Sequence, residues 1–105
     1  MKGEALKGHL ELLLLAALQH QAAHGYAIME KVRRDSGGTF DLPEGTIYPA
    51  LHRLERSGLL TSRWSEGETR RRRVYQVTRK GAKALARRHQ EWLQFSRGVM
   101  GIVGG

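Results

Sequence analysis

Two groups of side chains in this sequence are suited to binding a polyanion. One is the run of four successive arginines from Arg70 to Arg73. Neighbouring guanidinium groups repel one another, whereas beside a phosphate backbone each one releases counterions and gains affinity; a solvated charge run is the alternative. The other group lies between Pro43 and Leu60, where hydroxyl, imidazole and guanidinium groups could hydrogen-bond to base edges and phosphates. Its members are Thr46, Tyr48, His52 and Arg53, with Pro49 on the same side.

The stretch from Pro43 to Leu60 has the apolar spacing of a short helix with one buried face. A helical period brings together Ile47, Ala50, Leu51 and Leu54. Pro43 and Gly45 mark the start of this helix, and Gly58 suits the position just past its end. Pro49 is tolerated only if it lies within about a turn of the start. Such a helix could read a major groove, and an ordinary surface helix is the alternative.

The composition describes one small, basic domain. The chain has 105 residues and a formal net charge of +8, with a sequence pI near 10.6. This charge predicts a polyanionic partner, more often nucleic acid than an anionic membrane. Cysteine is absent, which excludes disulfides and thiolate metal sites and favours a cytoplasmic location. The apolar run Leu10–Leu18 is too short to span a bilayer, and no clear cleavage site closes it as in a signal peptide.

Two helices are predicted before the Pro43–Leu60 stretch. The first extends from Lys7 to Gln21, and its leucines surround it so completely that it must be covered on two sides. A second subunit is the expected source of the extra contact surface, and a central position in the fold is the alternative. The second helix extends from about Gly25 to Ser36 and is followed by two glycines that end it.

After Gly58 the apolar spacing changes from helical to alternating, which predicts a β-hairpin. One side of the first strand carries Leu60, Ser62 and Trp64. The second strand alternates Arg73, Tyr75 and Val77 with Val74 and Gln76. The polar turn Ser65–Thr69 leads directly into the arginine run, so the hairpin is predicted to be a phosphate-binding wing. Glu66 and Glu68 are expected to lie above the groove or to pair with the arginines, and Trp64 to be a packing residue.

A long final helix is predicted from Arg79 toward Val103, with Thr78 as its cap. Apolar and small residues recur along it in alternating steps of three and four, as in a coiled-coil seam. Because so small a domain has nothing to cover the far half, the seam predicts a homodimer. The residues expected at the dimer contact are Leu10, Leu14, Leu85, His89, Trp92, Ser96 and Val99. Gly98, Gly101 and the closing glycines predict a frayed end.

Enzymatic functions find little support in the sequence. His20 and His24 are spaced to share a helical face, but no third metal ligand lies near them. A glycine-rich phosphate loop after a strand and a serine nucleophile motif are both missing, and the acidic residues are scattered rather than paired. We therefore expect no catalytic residue, no metal and no cofactor, and predict that the chain is not an enzyme.

The predicted elements follow the order of a winged helix-turn-helix domain, which is three helices, a two-stranded wing and a last helix. Several short strings of the sequence add a more specific resemblance. These are His24-Gly25-Tyr26, Gly45-Thr46-Ile47-Tyr48-Pro49-Ala50-Leu51, Arg53-Leu54-Glu55, Gly58-Leu59-Leu60, Arg72-Arg73-Val74-Tyr75 and Thr78-Arg79-Lys80-Gly81. They resemble the PadR family of bacterial transcriptional regulators, in its short subgroup with a single C-terminal helix. The resemblance implies a mainly α fold with a small β-hairpin. Residues 1–78 would form the DNA-binding domain, and residues 79–105 the dimerisation helix with its frayed tail.

The resemblance also implies roles for residues of the third helix. In the PadR family that helix and the wing contact operator DNA. By motif, Thr46, Tyr48 and Pro49 would present the start of the helix to DNA, with His52 and Arg53 nearby. Tyr48 would give its hydroxyl to a phosphate, and the alternative is a half-buried packing aromatic.

A ligand site is implied by the last helix. PadR proteins usually repress transcription until a small, often aromatic, compound is bound. Trp92 resembles the tryptophan that faces its mate across the dimer pore in some multidrug-binding short members, where planar aromatic ligands stack. Leu13 is the second candidate contact for such an effector. The alternative is that Trp92 only packs in the core or the dimer contact.

The function predicted from the sequence is that of a homodimeric, sequence-specific transcriptional regulator, expected to be a ligand-responsive repressor. Two third helices would enter successive major grooves of a palindrome, roughly 34 Å apart. It would act in the bacterial cytoplasm and associate with the nucleoid when bound. The alternative is a module that binds DNA without sequence preference as an architectural protein or docks another protein, and footprinting would discriminate the two.

Overall fold

A computed structural model describes residues 6, 8–67 and 71–104. Four helices and three strands follow one another in these residues. They are α1 (Leu10–Ala17), β1 (Ala23–His24), α2 (Gly25–Asp35), α3 (Glu44–Arg56), β2 (Leu60–Glu66), β3 (Arg71–Val77) and α4 (Arg79–Val103). The predicted mainly α fold with a small β-hairpin is therefore confirmed, with one strand added to the hairpin.

The core forms where α1, α2 and α3 meet the inner face of the sheet. From α3 it receives the four residues whose spacing predicted a buried face, Ile47, Ala50, Leu51 and Leu54. Leu10, Leu14, Leu15 and Leu18 enter it from α1 and its end, and Ile28 and Val32 from α2. A helix anchored in this way on one face must present its other face outward, which fixes the orientation of α3.

The first helix departs from the prediction in extent and in what covers it. It ends at Ala17, with Leu18 as its C-cap, rather than at Gln21. Leu14 is 0% exposed and Leu10 is 7% exposed within the single chain, so the chain's own core already covers these two residues, which were predicted at the dimer contact. The second covering surface comes from α4 of the same chain, because the α4 residue Arg88 pairs with Glu11 on α1. The helices of the described residues include none that is long and apolar enough to cross a membrane.

The sheet is antiparallel and has the order β1-β3-β2. In the hairpin Leu60 lies opposite Val77 and Glu66 opposite Arg71. On the other side of β3, His24 of β1 lies opposite Val74. A strand of two residues is too short to show an alternating pattern, which is why the sequence did not predict a strand at this point.

The ends of α3 agree with the sequence signals, but its proline does not lie where it was expected. Pro43 is the N-cap, and Gly58, with φ of +79°, follows the C-cap. Pro49 is the sixth residue of the helix and so lies beyond the first turn. Because proline has no N–H, it leaves the carbonyl of Gly45 without its usual helical donor. Gly45 is exposed, so water can satisfy that carbonyl.

The last helix has the predicted start and extends to the predicted end at Val103. The Thr78 hydroxyl accepts a hydrogen bond from the Gly81 N–H and caps the N-terminus. The helix passes through Gly98 without interruption to Val103, and Gly104, with φ of +84°, ends it. Exposed glycines weaken a helix without breaking its hydrogen bonds, so fraying of this end stays a prediction.

Candidate nucleic-acid interface

The outer face of α3 carries most of the predicted reading residues. Pro49, His52, Arg53 and Arg56 are exposed there, and Thr46 is half-buried near the start of the helix. The opposite face is fixed in the core, so the helix can present these groups without losing its own packing. Imidazole and guanidinium groups on such a face are able to hydrogen-bond to base edges and to phosphates.

Beside the start of α3 lies a basic cleft of about 490 Å³. Its lining consists of His24, Gly25, Tyr26, Glu44, Tyr48, Arg71, Arg72 and Arg73. The structure thus brings one predicted reading residue, Tyr48, together with three of the predicted wing arginines. The fourth, Arg70, lies outside the described residues, as does Glu68. Thr46, Pro49, His52 and Arg53 lie along the helix rather than in this cleft.

Tyr48 fits against the N-terminus of α2 and depends on a glycine there. A Cβ added to Gly25 would lie 2.5 Å from the ring and the hydroxyl of Tyr48. Only a glycine therefore allows this close approach. Tyr48 is half-buried, so that it packs on the core and also lines the cleft. Both predicted roles, packing and exposure of a hydroxyl toward a phosphate, are compatible with this position.

His24 connects the N-terminus of α2 to the wing. It is the N-cap of α2, where its Nδ1 accepts from the Ala27 N–H at 3.4 Å. Its Nε2 lies 2.7 Å from a guanidinium nitrogen of Arg72. A neutral imidazole has one acceptor nitrogen, so in any one tautomer the ring accepts from only one of these two donors. The string His24-Gly25-Tyr26 supported the resemblance to a family, but the sequence did not indicate that these residues line the cleft.

Strand geometry divides the arginine run between the two faces of the wing. The Arg71 and Arg73 guanidinium carbons lie 4.8 Å and 5.3 Å from the centre of the Trp64 ring. Arg72 points to the other face, toward His24. Glu66 pairs with Arg71 at 3.3 Å, as one of the two alternatives for this residue predicted. Trp64 is 53% exposed, so it is not buried packing but supports the two arginines by cation–π contact.

Arg73 differs from the other wing arginines because it bonds inward. Its Nε donates to the Ser62 hydroxyl at 2.9 Å, and its guanidinium lies 3.6 Å from Glu55 of α3. The neighbouring Tyr75 is 1% exposed. Burial raises the pKa of the Tyr75 hydroxyl, and the nearby Arg73 charge opposes this shift without reversing it. The hydroxyl therefore stays neutral at physiological pH.

A compact joint attaches α4 to the end of α3. The Thr78 hydroxyl donates to the Gly58 carbonyl at 2.6 Å, and Lys80 Nζ donates to the Ser57 carbonyl at 2.9 Å. A Cβ at Gly81 would overlap the Leu59 carbonyl oxygen. Glycine is therefore required at this position, and the start of α4 is held rigidly against the segment that ends α3.

Trp92 lies in an aromatic cluster at the contact of α1 and α4. Its ring centre is 5.2 Å from that of His9 and 6.1 Å from that of Phe95. These residues line a cavity of about 260 Å³. Leu13, the other predicted ligand contact, lines a different groove between α1 and α2. The structure therefore does not bring Trp92 and Leu13 together, and Leu12 is the leucine beside Trp92.

The far half of α4 has an apolar surface that no other part of the described chain buries. Exposed residues of this surface include Trp92, Phe95, Val99, Met100, Ile102 and Val103. In contrast, Leu85 is half-buried and packs on the chain's own core, although it was predicted at the dimer contact. Phe95 and Ile102 were not in the predicted dimer set, because they lie beside the seam read from the spacing rather than on it.

Among residues 6, 8–67 and 71–104, no three histidine, aspartate or glutamate side chains lie close enough together to hold a metal ion.

Comparison with known proteins places this arrangement of helices and wing in a family. The chain matches the transcriptional regulator PadR-like family over residues 14–87. It belongs to that family. This membership confirms the resemblance that the sequence strings indicated. It also shows that the chain is a DNA-binding transcriptional regulator and not an enzyme.

Individual PadR-like proteins and related regulators are similar to the chain over most of its length. Transcriptional regulator Rv3488 of Mycobacterium tuberculosis is 36% identical over 90 residues, which cover 83% of this chain and 81% of that protein. The structure of a transcriptional regulator from Clostridium thermocellum has a TM-score of 0.88 and 27% identity, over 96% of this chain and 99% of that one. A PadR family regulator from Eggerthella lenta has a TM-score of 0.83 and 32% identity, over 95% and 86% of the two chains.

Proposed function

We propose that this PadR-like regulator acts as a homodimer that binds a palindromic operator sequence-specifically and represses transcription. One observation carries the proposal. The helix α3 is anchored through four buried residues while His52, Arg53 and Arg56 remain exposed along it, and a basic cleft lies at its start. A rigid helix with polar groups on its outer face can distinguish base pairs, and adjacent arginines add affinity that does not depend on sequence. Its place of action would be the bacterial cytoplasm, on the nucleoid.

The dimer is supported by the uncovered apolar surface on the far half of α4. Ile102 and Val103 are 89% and 73% exposed there. Contiguous apolar surface of this kind typically marks an interface in a soluble protein. Two copies joined through α4 would present two α3 helices, and successive major grooves on one side of DNA lie about 34 Å apart.

An effector site is proposed at the cavity lined by His9, Trp92 and Phe95. Aromatic rings arranged around a cavity favour a planar aromatic compound, which can stack on them. Arg88 also lines the cavity, and its Nε is buried without a hydrogen-bond partner among the described residues. A compound with an acceptor group would find a donor there, so its binding would change the contact between α1 and α4.

Footprinting on the DNA that flanks the gene of this regulator tests the function. We expect one protected palindrome, and tighter binding to it than to random duplex by about 1,000-fold or more. His52→Ala should lower affinity for the operator more than for random DNA. Arg71→Ala with Arg72→Ala should weaken binding to both and reduce the slope of log affinity against log salt by about 2. Diffuse protection would instead support an architectural DNA-binding protein.

A further inference from the structure

A partly buried polar cluster connects the end of α3 to both wing strands. We name Glu55, Ser62 and Arg73 the wing clamp. Glu55 is the last but one residue of α3, Ser62 lies in β2 and Arg73 in β3. The Ser62 hydroxyl donates to Glu55 Oε2 at 2.5 Å and accepts from Arg73 Nε at 2.9 Å. A single hydroxyl thus joins a carboxylate of the helix to a guanidinium of the wing.

The position of Glu55 argues that the wing clamp is not an incidental surface pair. Negative charge near the C-terminus of a helix is unfavourable for the helix itself, because the carbonyl ends there carry partial negative charge. The side chain of Glu55 is only 27% exposed, and Arg73 offers it a compensating charge at 3.6 Å. Glu55 therefore stabilises the wing contact at some cost to α3.

The wing clamp also engages one of the wing arginines with protein partners. Arg73 has Ser62, Glu55 and the Trp64 ring around its guanidinium. All three arginines line the cleft, but Arg71 and Arg72 are exposed there whereas Arg73 is half-buried. The predicted phosphate contact through Arg73 would have to share its guanidinium with these partners.

We propose that Glu55, Ser62 and Arg73 are positioning residues that fix the wing relative to the reading helix. They act without touching DNA, by holding Arg71 and Arg72 at the spacing that lets the wing and α3 engage one operator together. This inference deepens the DNA-binding function proposed above and rests on it. It divides the three described arginines of the run into two that contact phosphate, Arg71 and Arg72, and one, Arg73, that sets their position.

Charge and positioning predict opposite effects for Glu55→Ala. The substitution removes a negative charge from a DNA-binding face, so by charge alone it tightens binding to every duplex. A loosened wing weakens operator binding instead, because the wing contacts are then no longer held in place in advance. We expect operator affinity to fall about tenfold or more, while affinity for random duplex stays unchanged or rises.

The matched control is Glu30→Ala. Glu30 pairs with Arg33 on the exposed surface of α2 at 3.2 Å, so its loss makes the same change in net charge and also removes one ion pair. It lies outside the basic cleft. Operator affinity of this control should stay unchanged or rise slightly. Fluorescence anisotropy on operator and random duplexes measures all four affinities, and thermal melting of each variant confirms that it is folded.

Arg73→Lys separates the two roles of Arg73. Lysine keeps the positive charge, so a phosphate contact would largely survive, whereas it lacks the Nε donor that bonds to Ser62. We expect this variant to lose operator affinity as Glu55→Ala does. Ser62→Ala should also lose operator affinity, although the charges of Glu55 and Arg73 both remain. Retention of operator affinity by folded Arg73→Lys and Ser62→Ala would overturn the inference.

Hydrogen exchange on the free protein gives a readout that needs no operator. Amides of β2 and β3 should exchange faster in Glu55→Ala than in Glu30→Ala, because the wing is no longer tied to α3. Equal exchange in the two variants would show that the wing clamp does not hold the wing to α3, and would overturn the inference. A wild-type protein that binds operator and random duplex equally would overturn the sequence-specific function instead, and the two failures are therefore distinguishable.

Discussion

The two halves of α4 are parts of one helix, but their surroundings have little in common. The first turns are tied to the end of α3 by Thr78 and Lys80, and Gly81 and Ala84 are buried. The last turns have no buried residue, and Ile102 is 89% exposed. A helix rarely keeps such an apolar end in water without a partner.

This difference indicates how the dimer contact could control DNA binding. The far half offers the surface for a second copy, and the near half is fixed to the segment that ends the reading helix. Because α4 is continuous from Arg79 to Val103, a change in the packing of one end would move the other as a rigid body. The spacing of two α3 helices would then follow the geometry of the dimer.

The largest effect on dimerisation and operator binding should come from placing charges on the far half of α4. Phe95→Glu with Val99→Glu places two like charges in the apolar surface and should prevent dimerisation at micromolar concentration. Operator affinity should fall by about 100-fold or more, because two linked half-sites bind with much higher avidity than one. Analytical ultracentrifugation and anisotropy measure the two outcomes.

Gln90→Glu with Gln94→Glu is the control for that experiment. It adds the same charge on the opposite side of the helix, where we expect the dimer to persist. A dimer that survives Phe95→Glu with Val99→Glu would place the contact between copies elsewhere on the chain.

An intermediate effect, with opposite signs, is expected for glycine to alanine changes in the two halves. Gly81→Ala forces a Cβ against the Leu59 carbonyl and should lower the free energy of unfolding by about 1–3 kcal/mol. At Gly101 an added Cβ meets nothing within 4 Å. Gly101→Ala should therefore raise the free energy of unfolding by about 0.5 kcal/mol. Urea denaturation measures both. Equal changes at the two positions would show that the near half is not packed as tightly as described.

The smallest effect is expected from ligand binding beside Trp92. The cavity has a volume of about 260 Å³, just below the usual range for small-molecule sites, so affinities should be micromolar or weaker. In a Trp64→Phe background, planar aromatic dyes should quench the remaining Trp92 fluorescence. With Trp92→Phe, the remaining Trp64 should be unaffected. Indifference of Trp92 to a broad panel of dyes would remove the cavity as an effector site.

Most of the fold was predictable because strong periodic patterns and local signals agreed. The apolar positions of α3 predicted its buried face, and Thr78 and Gly58 marked the neighbouring helix ends. The strand β1 was missed because two residues carry no period. The expected position of Pro49, within the first turn of α3, was wrong because tertiary packing of the helix offsets the loss of the hydrogen bond that proline removes.

The candidate interface was predictable in composition but not in arrangement. The run Arg70–Arg73 indicated a basic wing, yet strand alternation separates Arg72 from Arg71 and Arg73. His24 joined the cleft only through the pairing of β1 with β3. Residues distant in sequence come together through the sheet, and a linear pattern carries no signal for such contacts.

By itself, the sequence determined which faces of the helices are apolar, where the wing begins and that the domain is basic, because these properties depend on neighbouring residues and on local backbone preferences. Only the tertiary structure decided that Leu10 and Leu14 are covered by the chain's own core, and that Arg73 bonds to Ser62 rather than facing outward. The physical reason is that an apolar or charged side chain specifies the kind of surroundings it requires. Which element supplies those surroundings depends on how the whole chain packs.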